Sequence, residues 1–347
     1  MPTDRPESDG TLEWDATTMI LVAVEGGGET GIGYTYASAA TACFIGDKLA
    51  EAVAGCDALA IPSAHRAMVR SARNEGRPGV ASAAISAVDN ALWDLKGRIL
   101  GVSVAALLGQ ARDTVPVYGS GGFTSYNDET LAEQLGGWAD EGLAMVKMKV
   151  GREPERDGER VHVARRAIGD DCSLFVDANG AHAPKEALRM AQIFAGSGVS
   201  WFEEPVSSDD LAGLRLVRDR GPVGMAVSAG EYGYDLPYFQ RMLVAGAVDV
   251  LQADATRCGG ITGFMEAAAL AEAFGIPLSA HCAPALHVQT CAAATSAIHA
   301  EWFHDHVRLE HMLFDGAPRP VSGSIAPSDR TGLGLTLKES EATRFET

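Results

Sequence analysis

Short apolar stretches alternate with amphipathic stretches along most of the chain beyond residue 113. In the amphipathic stretches, apolar residues recur three and four positions apart, as at Val161, Ala164 and Ile168, which predicts helices with one buried face. The short apolar stretches between them predict strands at 115–118, 144–150, 173–177, 200–204, 225–228, 248–252, 276–280 and 297–302. This alternation predicts an α/β fold built on a parallel sheet.

The first third of the chain has a different pattern. Residues 20–24 and 30–36 predict the two strands of a hairpin, and residues 47–108 are alanine-rich with helical periodicity, including a helix that ends near Gly97. Residues 1–17, with several prolines and acids, predict a mobile loop. We divide the chain into an α+β unit at 1–112, the strand and helix repeat at 113–325, and a C-terminal segment at 326–347 that packs back on the first unit.

A charged residue ends each strand of the repeat, and these residues recur at nearly regular intervals. The intervals are 28, 26, 28, 23 and 27 residues for the series Lys149, Asp177, Glu203, Glu231, Asp254 and His281. Each interval accommodates one strand and one helix, and about eight such units close a TIM barrel whose strands end at one rim. In a barrel these side chains would converge on one site, whereas an open doubly wound sheet would spread them along an edge.

Three acids end three successive strands of the repeat. Asp177, Glu203 and Glu231 would repel one another strongly at one point, and a hard divalent cation would remove that repulsion. Oxygen ligands without cysteine or histidine favour Mg²⁺ over zinc. Any one of these acids taken alone is more typical of a solvated strand end or a helix cap. Their common register with the repeat is what predicts a magnesium site.

Two lysines interrupt the apolar stretch that ends at Gly151. Lys147 and Lys149 stand two positions apart, so in a strand they point to the same side. On a buried face, desolvation and mutual repulsion would lower the lysine pKa and make an amine usable as a base near neutral pH. The alternative is an amphipathic edge strand whose lysines lie in water.

Asp254 and His281 end two adjacent strands, where the carboxylate would fix the tautomer of the imidazole and raise its basicity. Lys149 and His281 would then flank a substrate, with one base for each face of a carbon atom. Because a positioned base supplies only about 10²- to 10⁴-fold, the enolate needs electrostatic stabilisation from the metal, from Lys147 and from a protonated acid. Glu301 is the candidate for that acid; its alternative is an exposed position near a helix start.

Composition narrows the class of partner. The formal charge of −18 over 347 residues argues against nucleic acid or an anionic membrane surface. No apolar stretch approaches the roughly 20 residues of a membrane span, and residues 1–10 lack the features of a signal peptide. The six cysteines are scattered without a CxxC pair, which suits reduced thiols. We therefore expect a cytoplasmic protein that binds a small carboxylate.

In combination these residues resemble the enolase superfamily, specifically its mandelate racemase subgroup. The motif Lys147-Met148-Lys149 is similar to the subgroup's KxK motif, whose second lysine is the base and whose first contacts the substrate carboxylate. Other matching positions are Asp177, Glu203 and Glu231 for the Mg²⁺ ligands, Asn179 for a substrate-contacting asparagine, Asp254 with His281 for the Asp-His dyad, Glu301 for the electrophilic glutamate, and residues 91–97 and 107–109 for the capping domain.

The resemblance implies a fold, an assembly and a location for the substrate. The fold is a modified (β/α)8 TIM barrel of the (β/α)7β type under an α+β capping domain, and the assembly is a homo-oligomer, with an octamer as one candidate. The resemblance also implies that residues 2–16 cover the site and help to select the substrate, although the strand that usually precedes this loop is not recognisable.

The resemblance leaves several reactions open. They are dehydration of an acid sugar, which base rates in the subgroup favour, racemisation or epimerisation of a 2-hydroxy acid, and cycloisomerisation. A barrel that has lost catalysis and acts as a binding protein is the alternative outside enzymes. Residues 304–308 follow the last strand; they predict a solvated turn, with polyol contacts as the alternative and only weak evidence for a second metal in His304-x-His306.

Overall fold

The computed structural model describes residues 1–346. The strands that carry the fold are β1 (Pro2–Ser8), β2 (Glu13–Ala16), β3 (Met19–Gly26), β4 (Glu29–Tyr36), β5 (Val115–Gly121), β6 (Met145–Lys149), β7 (Ser173–Asp177), β8 (Val199–Glu203), β9 (Ala226–Ala229), β10 (Val250–Ala253), β11 (Leu278–Ala280) and β12 (Ala297–Phe303), followed by the short β13 (Phe314–Asp315), β14 (Ser324–Ile325) and β15 (Thr336–Leu337).

The helices lie in the cap, between the barrel strands and after the last of them. They are α1 (Ala40–Phe44), a π-helical turn (Ile45–Leu49), α2 (Ala50–Val53), α3 (Ile61–Ser71), α4 (Val80–Leu100), α5 (Val104–Leu108), α6 (Asp128–Asp140), α7 (Pro154–Ile168), α8 (Pro184–Ala195), α9 (Leu211–Arg220), α10 (Leu236–Val244), α11 (Gly260–Ala273), α12 (Pro284–Ala293), α13 (His304–Leu313), α14 (Glu339–Ala342) and a closing 3-10 turn (Thr343–Phe345). Within residues 1–346, no helix is long and apolar enough to cross a membrane.

The strands β5 to β12 form a closed parallel barrel, as the spacing predicts. They pair in chain order, and the last strand closes on the first through the register Ala300 with Val117 and Glu301 with Tyr118. Helices α6 to α12 connect successive strands, and α13 follows the eighth strand. The prediction of a TIM barrel with an α+β cap is confirmed.

Aromatic side chains fill the barrel interior below the rim. The rings of Phe175 and Trp201 are stacked with centroids 5.1 Å apart, and Tyr118 meets Phe175 edge to face at 5.5 Å. His299 contacts all three rings. This dry layer lies directly under the charged residues of the rim, because the Lys147 Nζ stands 5.3 Å from the centre of the Tyr118 ring.

The capping domain packs a two-stranded antiparallel sheet, β3 with β4, against the long helix α4. Gly33 permits the close approach, since a Cβ there would overlap the backbone of Ala91. The predicted helix end near Gly97 is wrong, because α4 continues to Leu100 and is terminated by Gly101 in the left-handed conformation at φ 69°. Gly97 stays inside the helix because it packs against Gly332.

The cap and the barrel share buried polar contacts. The Tyr34 hydroxyl on β4 donates to Glu310 on α13 at 2.6 Å, and the Ala285 N–H donates to the other oxygen of Glu310 at 3.0 Å. In the C-terminal segment, the Leu333 N–H donates to Asp94 of α4 at 2.6 Å. These hydrogen bonds connect α13 and the C-terminal segment to the cap. The domain boundaries at residues 112 and 325 stay predictions.

The prediction of a mobile loop at residues 1–17 is wrong, because β1 and β2 form an antiparallel hairpin. We call residues 2–16 the N-terminal hairpin. Ser8 bonds Thr124 through the two hydroxyls at 2.6 Å, and the Trp14 ring meets Phe123 edge to face at 5.6 Å. Gly10 lies against Ala178, where a Cβ would overlap the carbonyl oxygen. The polar sequence therefore forms strands because the barrel loops pair with it and cover it.

The solvated turn predicted at 304–308 is also wrong. These residues begin α13, and Asp305 and His306 are buried. His306 stacks on Tyr36 of the cap, and the Thr17 hydroxyl donates to Asp305. The start of α13 is therefore a junction between the barrel, the cap and the segment that follows the N-terminal hairpin.

Burial, assisted by the charge of Asp254, outweighs the hydrogen bonds from Tyr34 and Ala285 and raises the pKa of Glu310 to about 8, which predicts a specific pH dependence of stability. The folded protein then holds this proton more tightly than the unfolded chain, so stability is full below about pH 4.5 and falls as the pH rises towards 8. The slope is at most about 1.4 kcal/mol per pH unit for one group.

Urea unfolding at pH 5, 7 and 9 measures this slope. The Glu310→Gln variant should lose that component of the pH dependence, whereas Glu51→Gln, an exposed acid of α2, should keep it. Equal pH slopes in the wild-type protein and in Glu310→Gln would contradict the assignment.

Candidate active site

The pairing of neighbouring barrel strands brings Lys149, Asp177 and Glu203 together at the rim. Lys149 pairs with Asp177 across β6 and β7, and Asp177 pairs with Glu203 across β7 and β8. Glu231 lies two positions after the end of β9. These side chains are buried, and Asp177 and Glu203 have no exposed surface. The rim that the spacing predicts therefore exists, with its charges on the inside of the barrel.

Asp177, Glu203 and Glu231 fit the requirements of a divalent cation site. Each offers a carboxylate oxygen within 4.8 Å of the others. Among the described residues, the buried Oε2 of Glu231 receives no hydrogen bond. Burial and the Asp177 charge hold the pKa of Glu203 well above its ordinary value, which is the expected result of crowding carboxylates in a dry site. Oxygen donors of this kind suit Mg²⁺.

The two lysines lie inside the barrel, so the alternative of an exposed edge strand is excluded. Lys147 is fully buried and pairs with Glu203 and, at 2.9 Å, with Glu301. Lys149 is 5% exposed and donates to Asp177 at 2.5 Å. The expected lowering of the lysine pKa is wrong for this arrangement. Burial lowers the pKa of Lys149, but the neighbouring carboxylates, Asp177 foremost, outweigh burial and raise it.

His281 and Asp254 form the predicted pair. The His281 Nδ1 lies 2.8 Å from Asp254, and the Nε2 lies 3.4 Å from Glu231 and 3.8 Å from Glu301. Burial would raise the pKa of Asp254, but the hydrogen bond and charge of His281 hold it below its ordinary value. Asp254 therefore orients the ring so that Nε2 faces the interior of the site.

Glu301 lies inside the site rather than at an exposed helix start. It accepts hydrogen bonds from the Ser120 hydroxyl at 2.6 Å and from the Cys282 N–H at 2.8 Å, and it pairs with Lys147. Although burial opposes ionisation, Lys147 and His281 hold the pKa of Glu301 well below its ordinary value. The expectation of a protonated donor runs against this direction, because Glu301 accepts hydrogen bonds here and its positive neighbours favour the ionised form. Its role as the electrophilic glutamate stays a prediction.

A cavity of about 350 Å³ opens onto these residues. Asn179 lines it in the left-handed conformation at φ 46°, and its side-chain oxygen has no hydrogen-bond donor among the described residues. The cavity lining comes from the N-terminal hairpin and the segment after it, from the cap, and from the barrel rim, and comprises Asp9, Leu12, Trp14, Ala16, Thr17, Thr18, Tyr36, Ala37, Ser38, Lys149, Asn179, Glu231, Tyr232, Arg257, His281, Cys282, Glu301, Phe303 and His306. Residues 2–16 therefore supply part of the cavity wall, as the resemblance implies.

Sequence reasoning missed several residues of this site. Arg257 lines the cavity and pairs with Glu231 at 3.1 Å and with Asp254 at 3.7 Å. The sequence feature that could have identified Arg257 is its position three residues after Asp254, in the loop that follows β10. Glu204 is buried beside the cluster, where burial and the Glu231 charge hold its pKa well above its ordinary value. Nothing in the sequence distinguishes Glu204 from an exposed neighbour of Glu203.

Comparison with known proteins assigns both parts of the chain. Residues 7–109 match the family description "Mandelate racemase / muconate lactonizing enzyme, N-terminal domain", and residues 130–341 match "Enolase C-terminal domain-like". A crystal structure of a mandelate racemase/muconate lactonizing enzyme-like protein from Rubrobacter xylanophilus is 55% identical, with a TM-score of 0.98, over 100% of this chain and 96% of that one.

Characterised relatives carry more specific names. A 3,6-anhydro-alpha-L-galactonate cycloisomerase of Streptomyces coelicolor is 33% identical over 343 residues, 97% of this chain and 93% of its own length. An L-talarate/galactarate dehydratase from Salmonella typhimurium, crystallised with Mg and L-lyxarohydroxamate, is 28% identical with a TM-score of 0.89 over 99% of this chain and 89% of that one. Because such relatives are enzymes, the alternative of an inactive binding barrel is set aside. The chain belongs to the enolase superfamily, in its mandelate racemase subgroup.

Proposed function

We propose that the protein removes the proton α to the carboxylate of a small hydroxy acid and then eliminates the β-oxygen, most directly as the dehydration of an acid sugar. The observation that carries this proposal is the composition of one cavity. Lys149, at the end of β6, and His281, directly after β11, both line this cavity. Around the closed barrel, these two strands are three positions apart in one direction and five in the other. A substrate between them would present a carbon atom to an amine and to an imidazole at once.

Asp177, Glu203 and Glu231 are the residues that would hold Mg²⁺. When bound, this cation supplies positive charge that polarises the substrate carboxylate and favours loss of the α proton. Lys147 adds a fixed positive charge on the same side, because it is fully buried and cannot leave its carboxylate partners. Asn179, with its free side-chain oxygen at the cavity, is suited to accept a hydrogen bond from a substrate hydroxyl.

The reaction assigns one proton to each of the two bases. The base takes the α proton, the C–H electron pair enters the enolate, and the enolate expels the β-oxygen. The leaving oxygen accepts a proton from the partner on the opposite side, and the enol becomes a ketone. Lys149 is assigned the first role by its position, because its amine lines the cavity beside Asp177, and a cation held by Asp177 would offset the carboxylate charge that raises the pKa of Lys149. His281 is suited to the second, since Asp254 holds the ring by Nδ1 and leaves Nε2 facing the interior of the site.

Cycloisomerisation is the second candidate, and the Streptomyces coelicolor relative favours it through its high coverage of this chain. The chemistry differs only in the leaving group. When the β-oxygen is a free hydroxyl, water leaves; when it belongs to a ring, the ring opens and the product is an isomer of the substrate. The same two bases serve both reactions, so the shape of the cavity wall decides between them.

The homo-oligomer and the cytoplasmic location stay predictions.

Proton NMR in D₂O with Mg²⁺ tests the proposed function against aldonic acids, aldaric acids, their lactones and anhydro derivatives, and mandelate. Dehydration should remove the α-proton signal and produce the signals of a keto-deoxy acid, and EDTA should stop the change. Ring opening without loss of water would identify the cycloisomerase. Exchange of the α proton for deuterium with no elimination would contradict both eliminations and indicate a racemase or epimerase.

The Lys149→Met variant should lose turnover by at least about 10²- to 10⁴-fold, the usual contribution of a positioned base. Its Mg²⁺ affinity, measured by calorimetry, should stay close to that of the wild-type protein because the three carboxylates remain. Lys185→Met, which changes an exposed lysine of α8, is the matched control and should keep full activity. Turnover of Lys149→Met within tenfold of the wild-type value would exclude Lys149 as the base.

The Gly10→Ala variant should raise KM, because the new Cβ overlaps the Ala178 carbonyl oxygen and lies 2.8 Å from that of Val150. Overpacking of this kind costs about 1–3 kcal/mol, so we expect KM to rise by roughly tenfold or more. Gly137→Ala on α6, where a Cβ has open space, is the control. An unchanged KM in Gly10→Ala would mean that the N-terminal hairpin does not hold the substrate.

A further inference from the structure

A second group of ligand-type side chains lies outside the cavity, where the N-terminal hairpin meets the start of α13. Asp4 and Glu7 of β1 and His304 of α13 each offer one ligand atom within 4.8 Å of the others. The His304 Nε2 lies 3.0 Å from the Asp4 carboxylate. We call these three residues the hairpin cluster; the function proposed above uses none of them.

Glu7 has one carboxylate oxygen that is buried without a hydrogen-bond partner among the described residues. Its side chain is 1% exposed, and the Trp14 ring nitrogen donates to Oε2 at 2.7 Å. The other oxygen, Oε1, is buried without a hydrogen bond from any described residue. A buried carboxylate oxygen without a donor is costly, which indicates that a ligand is suited to this position.

The surroundings of Glu7 are short of positive charge. Burial, followed by the charges of Asp305 and Asp4, raises the pKa of Glu7 to about 8. Arg308 is the nearby cation and acts in the opposite direction on this pKa, but its Nη2 donates to Asp305 at 2.6 Å and to the Pro2 carbonyl at 2.7 Å rather than to Glu7. A cation beside Glu7 and Asp4 would relieve this repulsion.

The donor set decides which cation fits. One imidazole nitrogen and two carboxylate oxygens suit zinc, whereas Mg²⁺ prefers oxygen alone. Ligand atoms at about 2 Å from a tetrahedral centre lie roughly 3.4 Å apart, so atoms within 4.8 Å need only small side-chain movements. The side chains of His304 and Asp4 are 26% and 44% exposed, which leaves the cluster open to solvent.

We propose that Asp4, Glu7 and His304 bind one Zn²⁺ ion that fixes the N-terminal hairpin to the start of α13. The hairpin carries Trp14 and Asp9 into the wall of the active-site cavity. The bound ion therefore holds the wall in place while the Mg²⁺ ligands on the barrel rim stay separate from it.

Zinc titration of the Mg²⁺-saturated protein tests the site, with calorimetry for stoichiometry and the visible absorption of substituted Co²⁺ for coordination. The wild-type protein should bind one ion per chain that His304→Ala does not bind. Loss of a ligand should weaken Zn²⁺ binding by more than roughly 10- to 100-fold, which is the loss of metal affinity when a group that only orients a ligand is removed. Glu7→Gln should weaken it as well, whereas His162→Ala, which removes an exposed histidine of α7, should not.

Hydrogen exchange gives a second readout on the same proteins. Zn²⁺ should slow exchange of the amides of residues 2–16 at least about tenfold in the wild-type protein and in His162→Ala, but not in His304→Ala or Glu7→Gln. The Cys282→Ser variant should behave as the wild-type protein does, because the other mixed cluster, His281 with Cys282 and Glu301, lies inside the cavity. Equal zinc titrations of the wild-type protein, His304→Ala and Glu7→Gln would overturn the proposal.

Discussion

The pairing that closes the barrel, β12 with β5, is the constraint on which the rest of the site depends. It places Glu301 beside Tyr118 and Ser120 of the first strand and so within reach of Lys147 on the second. In an open sheet of the same strands, His281 and Lys149 would stand near opposite edges. Closure instead makes them face one cavity, and the shared direction of the strands puts every charged side chain at the same end.

The charged layer that results is expensive, because removing an ion from water costs several kcal/mol even after relaxation. Ion pairs offset this desolvation cost, because Lys147 contacts three carboxylates at once, those of Asp177, Glu203 and Glu301. The aromatic layer beneath excludes water, so the same charges act at low dielectric. Replacement of such a cluster by apolar residues is often stabilising, and chemistry rather than stability explains its retention.

The barrel and most of its charged rim could be predicted because strand, helix and charge recur together, and this periodicity is local in the sequence. The N-terminal hairpin could not, since its two strands pair with each other and are covered by residues more than a hundred positions away, such as Thr124 and Phe123. The direction of the Glu301 pKa shift could not be predicted for a related reason. A pKa is set by every charge within reach, and the sequence names the groups without giving their distances. Arg257 was missed because it lies in a loop, where no periodic pattern of residues indicates which side chain reaches the site.

The wall and the floor of the cavity belong to different parts of the chain. Within residues 1–346, the hydrogen bonds of the N-terminal hairpin go to the loops after β5 and β6 and to α6 and α13, and none reaches Lys147, Lys149 or the three carboxylates. Substitution of hairpin side chains therefore removes no hydrogen bond of the charged floor. Four hairpin residues, Asp9, Leu12, Trp14 and Ala16, line the cavity, so substitutions at one end of the gene reshape the wall without replacing a charged residue of the floor.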